Sequence, residues 1–125
     1  MGEPTRVLVV DDDAAIRMLF SAVLKDSGFV VATASCANEA MARLGTFAPH
    51  VVLTDYDMPG PSGLELVAQL AHAATPVTAY VMSGRGELRE QALRSGAAGF
   101  FEKPFEVRAF IRALHDAAGA KSRGE

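Results

Sequence analysis

The sequence predicts an open α/β sheet of parallel strands with helices on both faces, and two observations carry that prediction. Short apolar runs alternate five times with stretches whose apolar residues recur at helical spacing. The runs are unbroken rather than alternating with polar residues, as suits strands covered on both sides. Parallel pairing follows, because the chain crosses over a helix of about ten residues before each new strand, and such crossovers are nearly always right-handed.

Val7-Leu8-Val9-Val10 is the first strand. After Asp11, Asp12 and Asp13 the period changes, and Ile16, Leu19, Phe20 and Val23, with Leu24, mark the buried side of a helix that Gly28 closes. Phe29 to Ala34 is the second strand, followed by a helix from Ala37 to Leu44 that Gly45 stops. Val51 to Thr54 and Leu64 to Ala73 form the third pair, and Val77 to Met82 follows Pro76 as the fourth strand. A helix from Glu87 to Ser95 ends at Gly96, and Gly99 to Glu102 with Val107 to Ala117 completes the series.

The 125 residues allow one domain with a substantial core, half of them being hydrophobic. With 12 basic and 15 acidic side chains the net charge is −3, and no Lys/Arg cluster forms the basic face that direct nucleic-acid binding requires. Cys36 is the single cysteine, and it has no metal-ligand spacing to His50, His72 or His115. The lead, residues 1–6, lacks the layout of a signal peptide, and no apolar run approaches membrane-spanning length, so the expected location is the cytoplasm, with no membrane contact. Residues 118–125 form a polar ending that reads as a flexible tail or linker stub.

In an open α/β sheet the site lies outside the carboxyl ends of the strands, where the strand order reverses. Strand one ends in Asp11-Asp12, strand three in Asp55, strand four in Ser83 and strand five in Lys103. Three carboxylates at one edge repel unless a cation sits among them, and oxygen ligands alone suit Mg²⁺, for which Mn²⁺ could substitute. A carboxylate beside such a cation can act as a nucleophile toward a phosphoryl group, with the Lys103 ammonium and Ser83 hydroxyl meeting the charge on its outer oxygens. Asp13 reads as the cap of the first helix rather than a ligand.

The ordered set VLVVDDD, VVLTDYDMPGPSGLEL, VMSG and GFFEKPF resembles the receiver domain of two-component response regulators, of the CheY-like single-domain kind, over about Val7 to about Ala117. The resemblance implies a doubly wound, flavodoxin-like sheet of five strands in the order 2-1-3-4-5, with residues 7–117 as the receiver domain. It makes Asp55 the phosphoacceptor. Asp12 then binds Mg²⁺ directly and Asp11 chiefly through water, while Asp57 offers its backbone carbonyl. Ser83 matches the switch hydroxyl, Lys103 the pocket lysine and Phe100 the switch aromatic. The peptide bond before Pro104 is implied to be cis.

Function follows as an implication of the same resemblance. The phosphoryl donor is a phosphohistidine on a histidine kinase or a phosphotransfer protein, and the domain itself catalyses both its phosphorylation and its dephosphorylation. Ser83 moves toward the new anion, Phe100 packs into the space vacated, and the surface of helix four, strand five and helix five changes for a downstream protein target. A phosphorylation-dependent homodimer is compatible with this. Opposite Leu19 and its neighbours, Ala14, Met18 and Ala22 form an apolar stripe suited to docking the kinase's helical bundle. Asp57 and Arg85 stand at the pocket's mouth with opposite charges, and an ion pair between them would restrict the water that ends the phosphorylated state.

Three other readings are weighed. In haloacid-dehalogenase-like phosphatases a D-x-D also supplies the nucleophile, but it lies near the N-terminus, whereas here an acidic pair precedes it and Met58-Pro59 follows. A nucleotide-binding module would rest on Gly84-Arg85-Gly86 alone, a weak signal beside acids that repel phosphate. A binding-only pseudo-receiver would keep the fold without the chemistry, and every position needed for the chemistry is filled.

Overall fold

A computed structural model of the protein describes residues 3–122, with side chains through residue 117. Five strands, β1 (Arg6–Val10), β2 (Val30–Ala34), β3 (Val51–Asp55), β4 (Thr78–Ser83) and β5 (Gly99–Glu102), alternate with helices α1 (Ala14–Asp26), α2 (Ala37–Phe47), α3 (Gly63–Leu70), α4 (Arg89–Arg94) and α5 (Val107–Ser122). The sheet order is β2-β1-β3-β4-β5 and every pairing is parallel. The expected doubly wound α/β fold is the observed one.

The unbroken apolar strands are explained by two packed layers. Along β1 the side chains alternate between them: Leu8 and Val10 pack with Leu66, Val67 and Phe100, while Val7 and Val9 pack with Phe20, Leu24 and Phe110. β3 and β4 alternate in the same way, Val52 and Val81 to the first layer, Leu53 and Met82 to the second. Each such side chain, taken out of water, contributes about 1.5–3 kcal/mol.

Several boundaries differ from the sequence reading. Gly45 does not stop α2, which runs on to Phe47 and ends at Ala48 in a left-handed conformation, φ 51°, with the Ala48 N–H bonded to the Leu44 carbonyl. Glycine weakens a helix interior by only about 1 kcal/mol, and the packing of Ala37, Ala40 and Leu44 on the sheet outweighs that. α3 stops at Leu70, short of Ala73, and α4 is a single short helix behind a 3-10 turn at Gly86–Leu88. α5 continues to Ser122, past the expected end at Ala117; residues 123–125 of the expected tail lie outside the described residues.

Leu19 is a further correction, since its side chain is 53% exposed. The buried stripe of α1 centres on Phe20 and Leu24, and at 3.6 residues per turn Leu19 falls on its flank. No helix among the described residues is long and apolar enough to cross a membrane.

Candidate functional site

The carboxyl edge of the sheet gathers the residues that the sequence placed at strand ends. Asp11 follows β1 and is 1% exposed. Its N–H donates to the Ala34 carbonyl at 3.1 Å, its Oδ1 accepts from the Asp13 N–H at 2.9 Å, and its carbonyl accepts from Arg17 Nη1 at 2.7 Å. Asp12 is exposed beside it. Asp13 caps α1 by accepting from the Ala15 N–H at 2.9 Å, which uses an otherwise orphaned helix donor.

Asp55 is the last residue of β3 and is 8% exposed. The Tyr56 N–H extends the ladder to β4 by donating to the Met82 carbonyl at 3.0 Å, and the buried Thr54 hydroxyl donates to the Asp55 carbonyl at 2.9 Å. Beyond it the chain turns back so closely that the Gly63 N–H donates to the Tyr56 carbonyl at 2.9 Å. A Cβ on Gly63 would lie 2.3 Å from the Asp55 carbonyl oxygen, so only glycine fits there.

Lys103 leaves the end of β5, next to a cis bond to Pro104. Its Nζ stands 3.0 Å from Asp11 Oδ2 and 3.2 Å from Asp55 Oδ1. Burial works to lower the lysine's pKa, but the hydrogen bond it donates to Asp11 and the charges of both carboxylates outweigh it, so the ammonium is held above its usual range. Asp55 is pushed up to about 6, first by burial and then by the charge of Asp11, with Lys103 opposing both.

Carboxylate oxygens of Asp11, Asp12 and Asp55 all lie within 4.8 Å of one another. Oxygen donors alone, converging at this spacing around a carboxylate that resists ionising, suit a small hard cation such as Mg²⁺. The Asp57 side chain turns elsewhere: its Oδ1 accepts from Arg85 Nη2 at 2.9 Å, and Arg85 Cζ sits 4.8 Å from the Tyr56 ring centroid. Ser83, 1% exposed at the end of β4, accepts at Oγ from the Arg85 N–H at 3.0 Å. Arg85 thus links the loops after β3 and β4.

Phe100 is buried, 6% exposed, and Arg89 lies against it. Ala14, Met18 and Ala22 are all exposed along α1, Met18 at 74%. The sequence reading missed Gly63, Arg17 and Arg89. The P-S-G-L that opens α3 hinted at Gly63; the two arginines act through contacts that no local pattern announces.

A doubly wound sheet thus brings an acidic triad, a lysine and a buried hydroxyl together at its carboxyl edge. The chain belongs to the response regulator receiver domain family, whose family model matches residues 7–115. Among curated proteins it is 36% identical over 121 residues to the transcriptional regulatory protein FixJ of Azorhizobium caulinodans, covering 95% of this chain and 57% of that protein. It is 35% identical over 115 residues to the C4-dicarboxylate transport transcriptional regulatory protein DctD of Pseudomonas aeruginosa, covering 90% of this chain and 25% of that protein. The chain therefore spans about half or less of those relatives. Its fold matches the chemotaxis response regulator CheY4 of Vibrio cholerae with a TM-score of 0.83 at 27% identity, over 90% of this chain and 98% of that one. The receiver domain of NtrX from Brucella abortus matches with a TM-score of 0.81 at 34% identity, over 89% and 96%. Membership of this family sets aside the haloacid-dehalogenase-like and nucleotide-binding readings.

Proposed function

We propose that the chain accepts a phosphoryl group on Asp55 from a phosphohistidine of a histidine kinase or phosphotransfer protein. The observation that carries this reading is the Lys103 ammonium set between Asp11 and Asp55 at 3.0 and 3.2 Å, at the carboxyl edge of the sheet. One Asp55 carboxylate oxygen attacks phosphorus, the P–N bond to the donor imidazole breaks, and its electron pair leaves on the ring nitrogen. A later attack by water on phosphorus releases inorganic phosphate and returns the carboxylate.

Asp11, Asp12, Asp55 and the Asp57 carbonyl would hold Mg²⁺, which supplies positive charge for the phosphoryl oxygens when bound. Lys103 remains charged beside the reacting carboxylate and meets the negative charge on the outer oxygens of the phosphoryl group. Ser83 would turn its hydroxyl to the new anion, giving up its bond from the Arg85 N–H. Phe100 and the α4, β5 and α5 surface would carry the result to a downstream protein. Asp57 and Arg85 guard the pocket, and Ala14, Met18 and Ala22 dock the phosphodonor. Residues 7–117 form the signalling unit, which on this reading works in the cytoplasm without direct contact with nucleic acid or membrane.

Intact mass tests the reading. Incubation with Mg²⁺ and acetyl phosphate should add one phosphoryl group to the wild type, with no gain in Asp55→Asn or in the presence of a chelator. A folded, Mg²⁺-binding wild type that gains nothing from either acetyl phosphate or a phosphorylated kinase would favour the binding-only reading.

A further inference from the structure

At the amino edge of the sheet, away from the acidic pocket, lies a cavity of about 510 Å³, within the usual size of small-molecule sites. Its floor is the end of the second packed layer: Val51 opens β3, and Thr78 and Tyr80, two residues apart on β4, turn to one face of the sheet. α5 contributes Leu114 and His115 to the walls, and the turn before β2 contributes Phe29. The Phe29 and His115 rings run nearly parallel, with 21° between their planes and 6.1 Å between their centres. Val51 and Asp55 are the two ends of β3, so the cavity is separate from the phosphoacceptor.

One polar group in the lining lacks a protein partner. Tyr80 is 5% exposed, and its hydroxyl makes no hydrogen bond to any described residue. Among the described residues no fully enclosed side-chain nitrogen or oxygen goes unpaired, so the little of Tyr80 that reaches a surface includes its hydroxyl, and that surface is the cavity. A buried tyrosine ordinarily pairs its O–H. Phenylalanine would fill the same space beside Phe101 and Phe110, whose rings lie 5.9 and 5.4 Å from that of Tyr80. Packing therefore explains the ring and leaves the hydroxyl unexplained. Burial pushes the Tyr80 pKa up, so the group stays protonated and offers a donor.

Charge at the rim is already matched. Glu3, the only carboxylate among the described lining residues, pairs with Arg6, and His50 Nδ1 accepts from the Arg6 N–H at 2.9 Å. Apolar surface outweighs polar in the walls, which favours an uncharged occupant. We propose that this cavity is a binding site for a small neutral aromatic molecule, whose ring packs against Phe29, Leu114 and His115 while a carbonyl or amide oxygen accepts from the Tyr80 O–H. The site is independent of phosphoryl acceptance at Asp55.

The test titrates ¹⁵N-labelled protein with indole-3-carboxamide, and with 3-methylindole, which keeps the rings and lacks the carbonyl. With the carboxamide, the backbone amide resonances of Phe29, Val51, Thr78 and His115 should shift and saturate, while those of Asp12 and Tyr56 at the other edge hold. Tyr80→Phe, which removes one oxygen and keeps the ring, should weaken the carboxamide about ten-fold, the loss of one hydrogen bond, and leave 3-methylindole unchanged, with the cooperative melt retained. His115→Ala, at an exposed position, should weaken both probes. No saturable shift at these residues with either probe would overturn the site, which would then hold only water. Carboxamide affinity equal in the wild type and Tyr80→Phe, or the same loss for both probes, would overturn the part given to the hydroxyl. Undiminished binding in His115→Ala would overturn the placement of the ring.

Discussion

At Gly63 the structure leaves no room for a methyl group, since a Cβ would meet the Asp55 carbonyl oxygen at 2.3 Å and Tyr56 Cα at 3.0 Å. Both are backbone atoms and cannot swing aside. Gly63→Ala is therefore expected to cost about 2–3 kcal/mol in urea unfolding and to slow phosphorylation of Asp55. At Gly60 an added Cβ meets open space, and φ of 79° costs only about 1–2 kcal/mol, so Gly60→Ala should leave phosphorylation little changed. Asp55 itself opposes folding at neutral pH. Its carboxyl is raised from 3.8 to about 6, so between those values the folded state keeps a proton that the unfolded chain releases, and above about 6 it carries a charge that burial disfavours. The stability that this group contributes is full below 3.8 and is lost as the pH rises through about 6. In chelator, Asp55→Asn should thus melt a few degrees above wild type at neutral pH, a gain on the order of 1–2 kcal/mol, with the gap narrowing from about pH 6 downward. A constant gap across that range would remove the titration of Asp55 as the cause. Asp11, Asp12, Asp55, Ser83 and Lys103 were legible as site candidates because each sits where a strand ends. Arg17 and Arg89 were not, because a guanidinium on a long stem reaches a carbonyl whose position depends on how the helix is docked.

At the scale of elements, the strands were read nearly to the residue and the helices less well. A buried apolar run has clear ends, whereas helix ends depend on competition between weak local signals and packing. Gly45 is the plain case: its helix penalty is small beside the layer that α2 covers. Leu19 shows that periodicity gives the existence of a buried stripe before it gives its centre. The loops after β3 and β4 were expected to meet through Asp57 and Arg85, and the pair lies at 2.9 Å with Tyr56 beneath the guanidinium. Both side chains are about half exposed or more, so the pair adds under about 1 kcal/mol to stability. Its effect should be kinetic. In Asp57→Asn with Arg85→Ala the phosphorylated state, prepared with acetyl phosphate and followed by phosphate release, should decay several-fold faster than in the wild type, with little change in melting temperature. Decay at the wild-type rate or slower would leave the pair without a gating role.

Across the whole molecule, the acidic pocket and the apolar stripe sit on different surfaces, the pocket at the carboxyl edge of the sheet and the stripe along α1. The fold was legible because five repeats of one unit admit few arrangements. The stripe was legible in outline, and the structure widens it, since Leu19 joins Met18 in facing outward at 53% and 74% exposure. Arg17 lies on the same helix and holds the Asp11 carbonyl, which ties α1 to the acidic pocket. Met18→Glu places a charge where a partner would bury a thioether, at a cost on the order of 2 kcal/mol, or about thirty-fold in affinity. Met18 touches neither packed layer, so the melting temperature should hold. Phosphotransfer from a kinase that labels the wild type should therefore fall more than ten-fold, while labelling by acetyl phosphate, which needs no docking surface, stays at the wild-type rate. Ala68→Glu on the exposed side of α3 controls for added charge and should transfer normally. Equal loss with both donors would place the defect in the pocket, and equal retention with both would move the donor's docking surface off α1.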